Sequence, residues 1–284
     1  MSAVSSSSHT RLRPILLFLV PVLAFLAVFF FWPLVSMLGR SVLDPQPTLV
    51  HYARLVEEPI YLQVIAITFQ IALFTTLGTL LLGYPLAYVL SGLPPRTAGL
   101  AMTIVVVPYF TSVLVRTYAW MVLLGTEGVV NQMLLALGMP GAPYRLMYNR
   151  FGVLLGMIYI LLPYMVLSLF SVMRGIDRGL LRAADSLGAS RRAAFRRVFL
   201  PLSMPGVAAG CLLVFILALG FFITPALMGS QQDAMISMVI ENQVETYFDW
   251  GFASALSAVL LALTLVAFFA YDRLVGLDTL FRTR

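Results

Sequence analysis

Six long apolar stretches constrain this chain more than any other feature, at about 14–36, 62–90, 99–124, 151–173, 204–229 and 250–271. Each reaches the roughly 20 residues that a helix needs to cross about 30 Å of hydrocarbon. Over the 284 residues, 61% are hydrophobic and 11% charged, where a soluble domain carries about 25% charge. A water-soluble fold of this size leaves too much of its surface wet to hide that apolar content. Disorder needs the opposite composition, poor in apolar and aromatic residues. The expectation is an all-α integral membrane protein with six transmembrane helices, organised as one transmembrane domain over 1–284. The first stretch follows Arg11 and Arg13 but exceeds a signal-peptide core, and no small-x-small cleavage site follows it. It therefore reads as a retained anchor. The polar run Ser5–Ser8 is assigned no role.

All 18 basic residues are arginine and there is no lysine. That removes the P-loop lysine for nucleotide phosphates and the lysine of a Schiff base. Cys211, His9 and His51 are too few for a four-ligand zinc site or a disulfide. Neither H-E-x-x-H nor G-x-S-x-G occurs. No catalytic residue, metal ligand or cofactor site is expected in the chain.

The arginines orient it. With the N-terminus inside, Arg11, Arg13, Arg96, Arg174, Arg178, Arg182, Arg191, Arg192, Arg196, Arg197, Arg273, Arg282 and Arg284 fall on the inner side. The outer loops keep Arg40, Arg54, Arg145 and Arg150, together with eight of the 12 acids. This positive-inside pattern predicts cytoplasmic termini. It also accounts for the net charge of +6 with lipid and without nucleic acid. Prolines and glycines inside the stretches (Pro21, Pro85, Pro108, Pro163, Pro225, Gly78, Gly83, Gly156, Gly220) read as packing kinks and suggest a bent bundle with a cavity. An ATP-independent channel or secondary transporter is the competing class. It would need intramembrane acids for coupling, and the stretches hold none away from their ends. No inverted repeat supports it either.

Between stretches four and five, 174–202 reads RGIDRGLLRAADSLGASRRAAFRRVFLPL and holds seven of the 18 arginines. Leu180, Leu181, Ala184 and Leu187, then Ala194, Phe195 and Val198, recur at helical spacing. Gly188 suits the left-handed cap of a first short helix. Ser190 suits the N-cap of a second, which Pro201 is expected to stop. Such a stripe either lies in the headgroup layer, arginines on anionic lipid, or docks in a groove of a soluble partner.

The residues resemble a known pattern at this point. Arg182, Ala183, Ala184, then Gly188, Ala189, Phe195, Val198 and Leu200-Pro201 are similar to the E-A-A-x-x-x-G…I-x-L-P loop of ABC importer permeases. In that family the loop is a coupling helix seated in a cleft of the cytoplasmic ATPase, which assigns Arg182, Ala183, Ala184, Asp185, Leu187, Gly188, Ala189 and Phe195 to ATPase coupling. The sequence departs at the first position, where Arg182 replaces the acid, and Asp185 offers a substitute carboxylate. Segments 108–131, 160–177 and 219–230 resemble spermidine/putrescine-type permeases, closest to the first of the two permeases such systems encode. The resemblance implies a type I ABC importer permease fold with a cytoplasmic coupling helix in a bacterial inner membrane. It also implies a heterodimeric second permease, two ATPase subunits that hold ATP and magnesium, a periplasmic substrate-binding protein and alternating access. Opine and aminophosphonate transporters belong to the same subgroup, so those ligands are the alternative to polyamines.

Arg116 lies inside the third stretch, where a charge costs roughly 2.5–3.5 kcal/mol on insertion scales. It either serves an interior structural or gating role or snorkels to the outer interface. Tyr109, Phe110, Tyr118 and Trp120 flank it, forming either an interfacial belt or a cation–π cradle for an ammonium ligand. Arg116 is mismatched to a polyamine and matched to a carboxylate or phosphonate. Asp233, Glu241, Glu245 and Asp249 recur at multiples of four, which predicts one acidic helix face. That face is either simply solvated, or docks a binding protein, or concentrates a cationic ligand.

Overall fold

The computed structural model describes residues 12–44 and 46–275, which are helices and turns without a strand. Ser5–Ser8, His9, Arg11, Arg282 and Arg284 lie outside the described residues. Six helical segments are long and apolar enough to cross a membrane: Leu19–Leu43, Pro59–Gly92, Val113–Ala136, Arg150–Gly175, Arg191–Leu219 and Trp250–Arg273. The chain divides into two compact units, one of residues up to Glu57 with Ile240–Val259, the other of Glu58–Val239 with the residues from Leu260 on.

The first unit begins with α1 (Leu12–Leu26), a π turn (Ala27–Phe31), α2 (Trp32–Leu43) and α3 (Val50–Glu57). Phe25, Phe29 and Trp32 are exposed on the first rod, as suits side chains whose solvent is lipid. Around α3, the His51 Nε2 meets the Asp44 carbonyl at 2.9 Å and Ser41 Oγ meets Tyr52 Oη at 2.8 Å. Arg54 pairs with Asp249 at 3.3 Å while its guanidinium covers the Phe252 ring at 4.4 Å.

The second unit is built on three long helices, α4 (Pro59–Gly92), α8 (Arg150–Gly175) and α11 (Leu200–Leu219). Between α4 and α8 run α5 (Pro95–Val106), a 3₁₀ turn (Val107–Phe110), α6 (Val113–Leu124) and α7 (Val129–Ala136). Ile71 and Ala72 of α4, Met157, Leu161, Met165 and Leu169 of α8, and Val214 and Ala218 of α11 form the sealed core. Lipid is as apolar as leucine, so helices inside a membrane associate through close packing over small residues. Gly156 and Gly210 are such positions. A Cβ would stand 2.7 Å from Thr224 Cγ2 at the first and 2.7 Å from Met165 Sδ at the second.

Three local expectations are corrected. The stretch 99–124 is not one rod. Pro108 lacks the N–H that would continue α5, the backbone tightens into the 3₁₀ turn, and Thr111 and Ser112 are extended before α6 begins. The stretch 204–229 also breaks, at Gly220–Phe222, before the short α12 (Ile223–Met228). Pro201 does not stop its helix. The helix widens into a π turn over Phe195–Phe199, where the Leu200 amide bonds the Phe195 carbonyl five residues back. A proline ring clashes with the carbonyl four residues earlier, and the wider turn lets the rod run on through Pro201. The same arrangement recurs at Ala27–Phe31 ahead of Pro33.

Candidate functional site: a capped hairpin and a broken span

The hairpin starts at α9 (Arg178–Ser186), whose N-cap Asp177 accepts from the Gly179 amide at 2.7 Å. It ends at Gly188, in the left-handed region at φ +81°. The Gly188 amide bonds the Asp185 carbonyl and the Ala189 amide bonds the Ala184 carbonyl, each at 3.0 Å. These are the paired bonds of a Schellman cap. Ser190 Oγ then accepts from the Ala193 amide at 3.3 Å and opens α10 (Arg191–Ala194), which passes into the π turn and α11. Leu181 packs against the core, while Leu180 and Leu187 stand exposed, Leu187 at 89%. Arg182, Ala183, Asp185 and Gly188 share that exposure, and Ala184 and Ala189 are half-buried.

Phe195 is not part of the exposed face. Its ring meets Tyr88 at 5.5 Å and Phe199 at 5.8 Å, and Tyr88 meets Phe199 at 4.9 Å. Phe195 therefore anchors the second limb to α4. The first limb is held by arginine: Arg174 Nη1 donates to the Leu93 carbonyl at 2.9 Å, and Arg178 Nη2 lies 3.0 Å from where a Gly92 Cβ would stand. Cations at the carbonyl end of α4 are favoured by its dipole. Gly92 leaves the room. Beside the hairpin, Ser190, Arg192, Ala193, Arg196 and Arg197 line a basic recess of about 480 Å³.

At the break in the third stretch, Arg116 is 6% exposed in the first turn of α6. Its guanidinium lies 6.0 Å from the Tyr109 ring, and the Tyr164 hydroxyl donates to that of Tyr109 at 3.0 Å. Trp120 packs edge-on against Tyr159 at 5.4 Å, whereas Tyr118 is exposed. Tyr109 and Arg116 thus meet, and Tyr118 is not part of that contact.

The acidic residues do not share one helix face. Asp233 sits in a 3₁₀ turn (Gln231–Asp233) and is buried. It accepts from Ser230 Oγ at 2.6 Å and from Arg150 Nε at 3.1 Å, while Arg150 Nη1 reaches Gln70 at 3.1 Å. Asp249 caps α14 (Trp250–Val275) by accepting from the Phe252 amide at 3.0 Å. Only Glu241 and Glu245 remain on α13 (Ile236–Glu245). Burial, then the Glu245 charge and a shared hydrogen bond, push the Glu241 carboxyl above the usual range.

Sequence reasoning missed Asn131. It is fully buried and bonds the Gly125 carbonyl and the Tyr144 carbonyl at 3.0 Å each, and the Tyr144 amide at 2.8 Å. Its only signal is a pair of amides, Asn131 and Gln132, in the otherwise apolar VVNQMLLA. Asn131→Leu leaves those backbone groups unpaired, at about 1–3 kcal/mol each. It should lower the melting temperature of the purified protein far more than Gln132→Leu, whose amide sits at the exposed surface.

Six helices long and apolar enough to cross a membrane, with an anchored hairpin presenting an apolar face, define a polytopic membrane protein. Among the described residues no cluster of His, Cys, Asp or Glu is suited to a metal. The chain belongs to the family described as binding-protein-dependent transport system inner membrane components, which matches residues 80–276. It is an ABC transporter permease. It is 37% identical over 269 residues to the spermidine/putrescine transport system permease protein PotB of Escherichia coli (strain K12), covering 91% of this chain and 98% of that one. It is 27% identical over 268 residues to the putative 2-aminoethylphosphonate transport system permease protein PhnU of Salmonella typhimurium, covering 92% of each. Its fold matches a chain of a bacterial alginate ABC transporter crystallised with an alginate-bound periplasmic protein. That match has a TM-score of 0.74 at 17% identity over 93% of this chain and 94% of the other.

Proposed function

We propose that this chain is one of two different permease subunits of an ATP-driven importer of spermidine and putrescine, delivered by a periplasmic binding protein. The observation that carries the ligand is the 37% identity to a spermidine/putrescine permease over nearly the full length of both chains, against 27% to an aminoethylphosphonate permease. The hairpin supports the machine. Leu180, Ala183 and Leu187 give an exposed apolar face that suits a cleft on one partner ATPase subunit, with Arg182 and Asp185 as its polar edge. ATP and magnesium belong to that partner, since this chain has no lysine for a P-loop. Closure of two ATPase subunits would push the hairpin, and α4 and α11 would carry the movement into the bundle through Tyr88, Phe195 and Phe199. The pathway then alternates between inward- and outward-facing states. The hairpin and both termini are assigned to the cytoplasm on the arginine distribution, within a single permease domain of six spans.

Ligand-stimulated ATP hydrolysis by the purified assembly tests the function. Putrescine and spermidine on the binding protein should stimulate it, and 2-aminoethylphosphonate should not. Stimulation by the phosphonate alone contradicts the ligand assignment. Orientation is read by single cysteines in a Cys211→Ser background: Ser186→Cys and Gln232→Cys, both exposed, should react with an impermeant reagent from opposite sides.

Glu241 and Glu245 are assigned to the approach of a cation or of a basic face on the binding protein. Glu241→Gln with Glu245→Gln should slow uptake roughly 2- to 10-fold at low salt, and the difference should shrink as salt screens it. Because the Glu241 carboxyl is raised, its charge is lost at a higher pH than that of an ordinary glutamate. Mild acidification should therefore narrow the advantage of wild type over the double variant.

A further inference from the structure

We infer that the break between α5 and α6 is a binding site for an oxyanion, a carboxylate or a phosphate-like group, that this chain does not itself supply. Two independent features meet there. The first is the N-terminus of α6, a helix of 12 residues whose N-cap Ser112 makes no side-chain bond to it. The leading amides of any helix lack partners within it, and its dipole makes that end positive. The second is Arg116, on the first turn of the same helix and 94% buried by its 6% exposure. Its buried Nε has no hydrogen-bond partner, and Arg116 forms no ion pair among the described residues. Helical side chains lean toward the N-terminus, and the guanidinium lies beside the ring of Tyr109, in the turn that precedes α6.

Local stability does not explain this arrangement. A cation on the first turn opposes the helix dipole, and a buried unpaired charge is costly in a membrane span. Two positive features converging on one broken segment leave a place for negative charge. The groups beside the guanidinium are hydroxyls: Tyr109, whose ring it approaches, accepts from Tyr164 at 3.0 Å. None neutralises a guanidinium. Half-helix N-termini holding anionic groups at broken spans are an established membrane-protein arrangement. The oxyanion has two possible sources, a free ion in the pathway or an acidic side chain of the second permease.

The test uses the purified assembly in nanodiscs, with inorganic phosphate exchanged for chloride at constant ionic strength. Wild type is compared with Arg116→Gln, Arg116→Met, which keeps the volume, and Arg116→Lys, which keeps the charge. A free oxyanion predicts a saturable rise of several degrees in the wild-type melting temperature, partly kept by Arg116→Lys and lost from the neutral variants. An acid on the second permease predicts no phosphate effect. Instead, both neutral variants lose at least half of the co-purifying second permease, and Arg116→Lys retains it. The inference is overturned if wild type and neutral variants respond alike to phosphate and hold the second permease equally, or if Arg116→Lys behaves as the neutral variants do. Polyamine-stimulated ATP hydrolysis, read in the same preparation, keeps failure of this inference distinct from failure of the transport reading.

Discussion

Gly188→Leu should uncouple the permease from its ATPase while leaving the membrane bundle folded. The backbone there has φ +81°, and a Cβ would meet nothing within 4 Å. The cost is therefore conformational rather than steric, about 1–2 kcal/mol for a side chain held in the left-handed region. Relaxing it breaks the 3.0 Å bonds to the Asp185 and Ala184 carbonyls and swings α9 away from α10. About tenfold loss of ATPase retention and of uptake is expected, following the factor of 5–30 that this energy represents. Gly188→Asn should be milder, since asparagine tolerates this conformation. Retention of the ATPase by Gly188→Leu at the wild-type level would contradict the hairpin's assignment.

Asp233→Ala should be the most destabilising single change among the charged residues. Asp233 is 4% exposed, holds the Ser230 hydroxyl and amide, and receives Arg150. Breaking a buried pair costs about 3–5 kcal/mol. Arg150 is 40% exposed on its side chain, so water recovers part of the loss and about 2–3 kcal/mol is expected. Arg150→Gln should cost less, because Asp233 keeps its two Ser230 donors. Thermal unfolding of the three proteins in one detergent checks the order. Equal stability of Asp233→Ala and wild type would show that this network does not hold the 230–233 turn.

The parts legible in the sequence are those set by a single residue's backbone chemistry or by bulk composition. Apolar length gave membrane-crossing helices, and the Gly188 and Ser190 caps were legible because a left-handed cap and an amide-accepting hydroxyl are properties of those residues alone. Pro201 was misread for the opposite reason. A proline excludes the ordinary α-helical bond but does not exclude a wider turn, and only the neighbouring packing of Phe195 and Phe199 against Tyr88 decides between stopping and widening. The break at Val107–Ser112 carried a signal in Pro108, but a proline inside a span reads equally as a packing kink, and only the backbone shows that α5 ends there. The acidic stripe failed because a period of four matters only if one helix spans it, and Asp233 and Asp249 were drawn into a turn and a cap by Ser230, Arg150 and Arg54.

Arg116 shows both sides of this limit. Its cost in a span left an interior role and snorkelling to the interface both open, and the structure buries it at 6% exposure. Which side chains meet it was not readable, because Tyr164 comes from a helix 48 positions further along the chain. The same holds for Arg150 and Asp233, 83 positions apart. Such pairings arise from helix packing, in which Gly83 and Gly210 let α4 and α11 close on Met165 of α8 and Gly156 lets α12 close on α8.

The central claim is that this chain carries a polyamine across the membrane by ATP-driven coupling through the 178–189 hairpin. It is tested most directly in proteoliposomes holding this permease, its second permease and the ATPase, with labelled spermidine on the binding protein. Wild type should accumulate spermidine only when ATP is present on the ATPase side, unlabelled putrescine should compete, and Gly188→Leu should lower the rate about tenfold. Spermidine entry that persists without ATP, or that is indifferent to Gly188→Leu, would contradict the account.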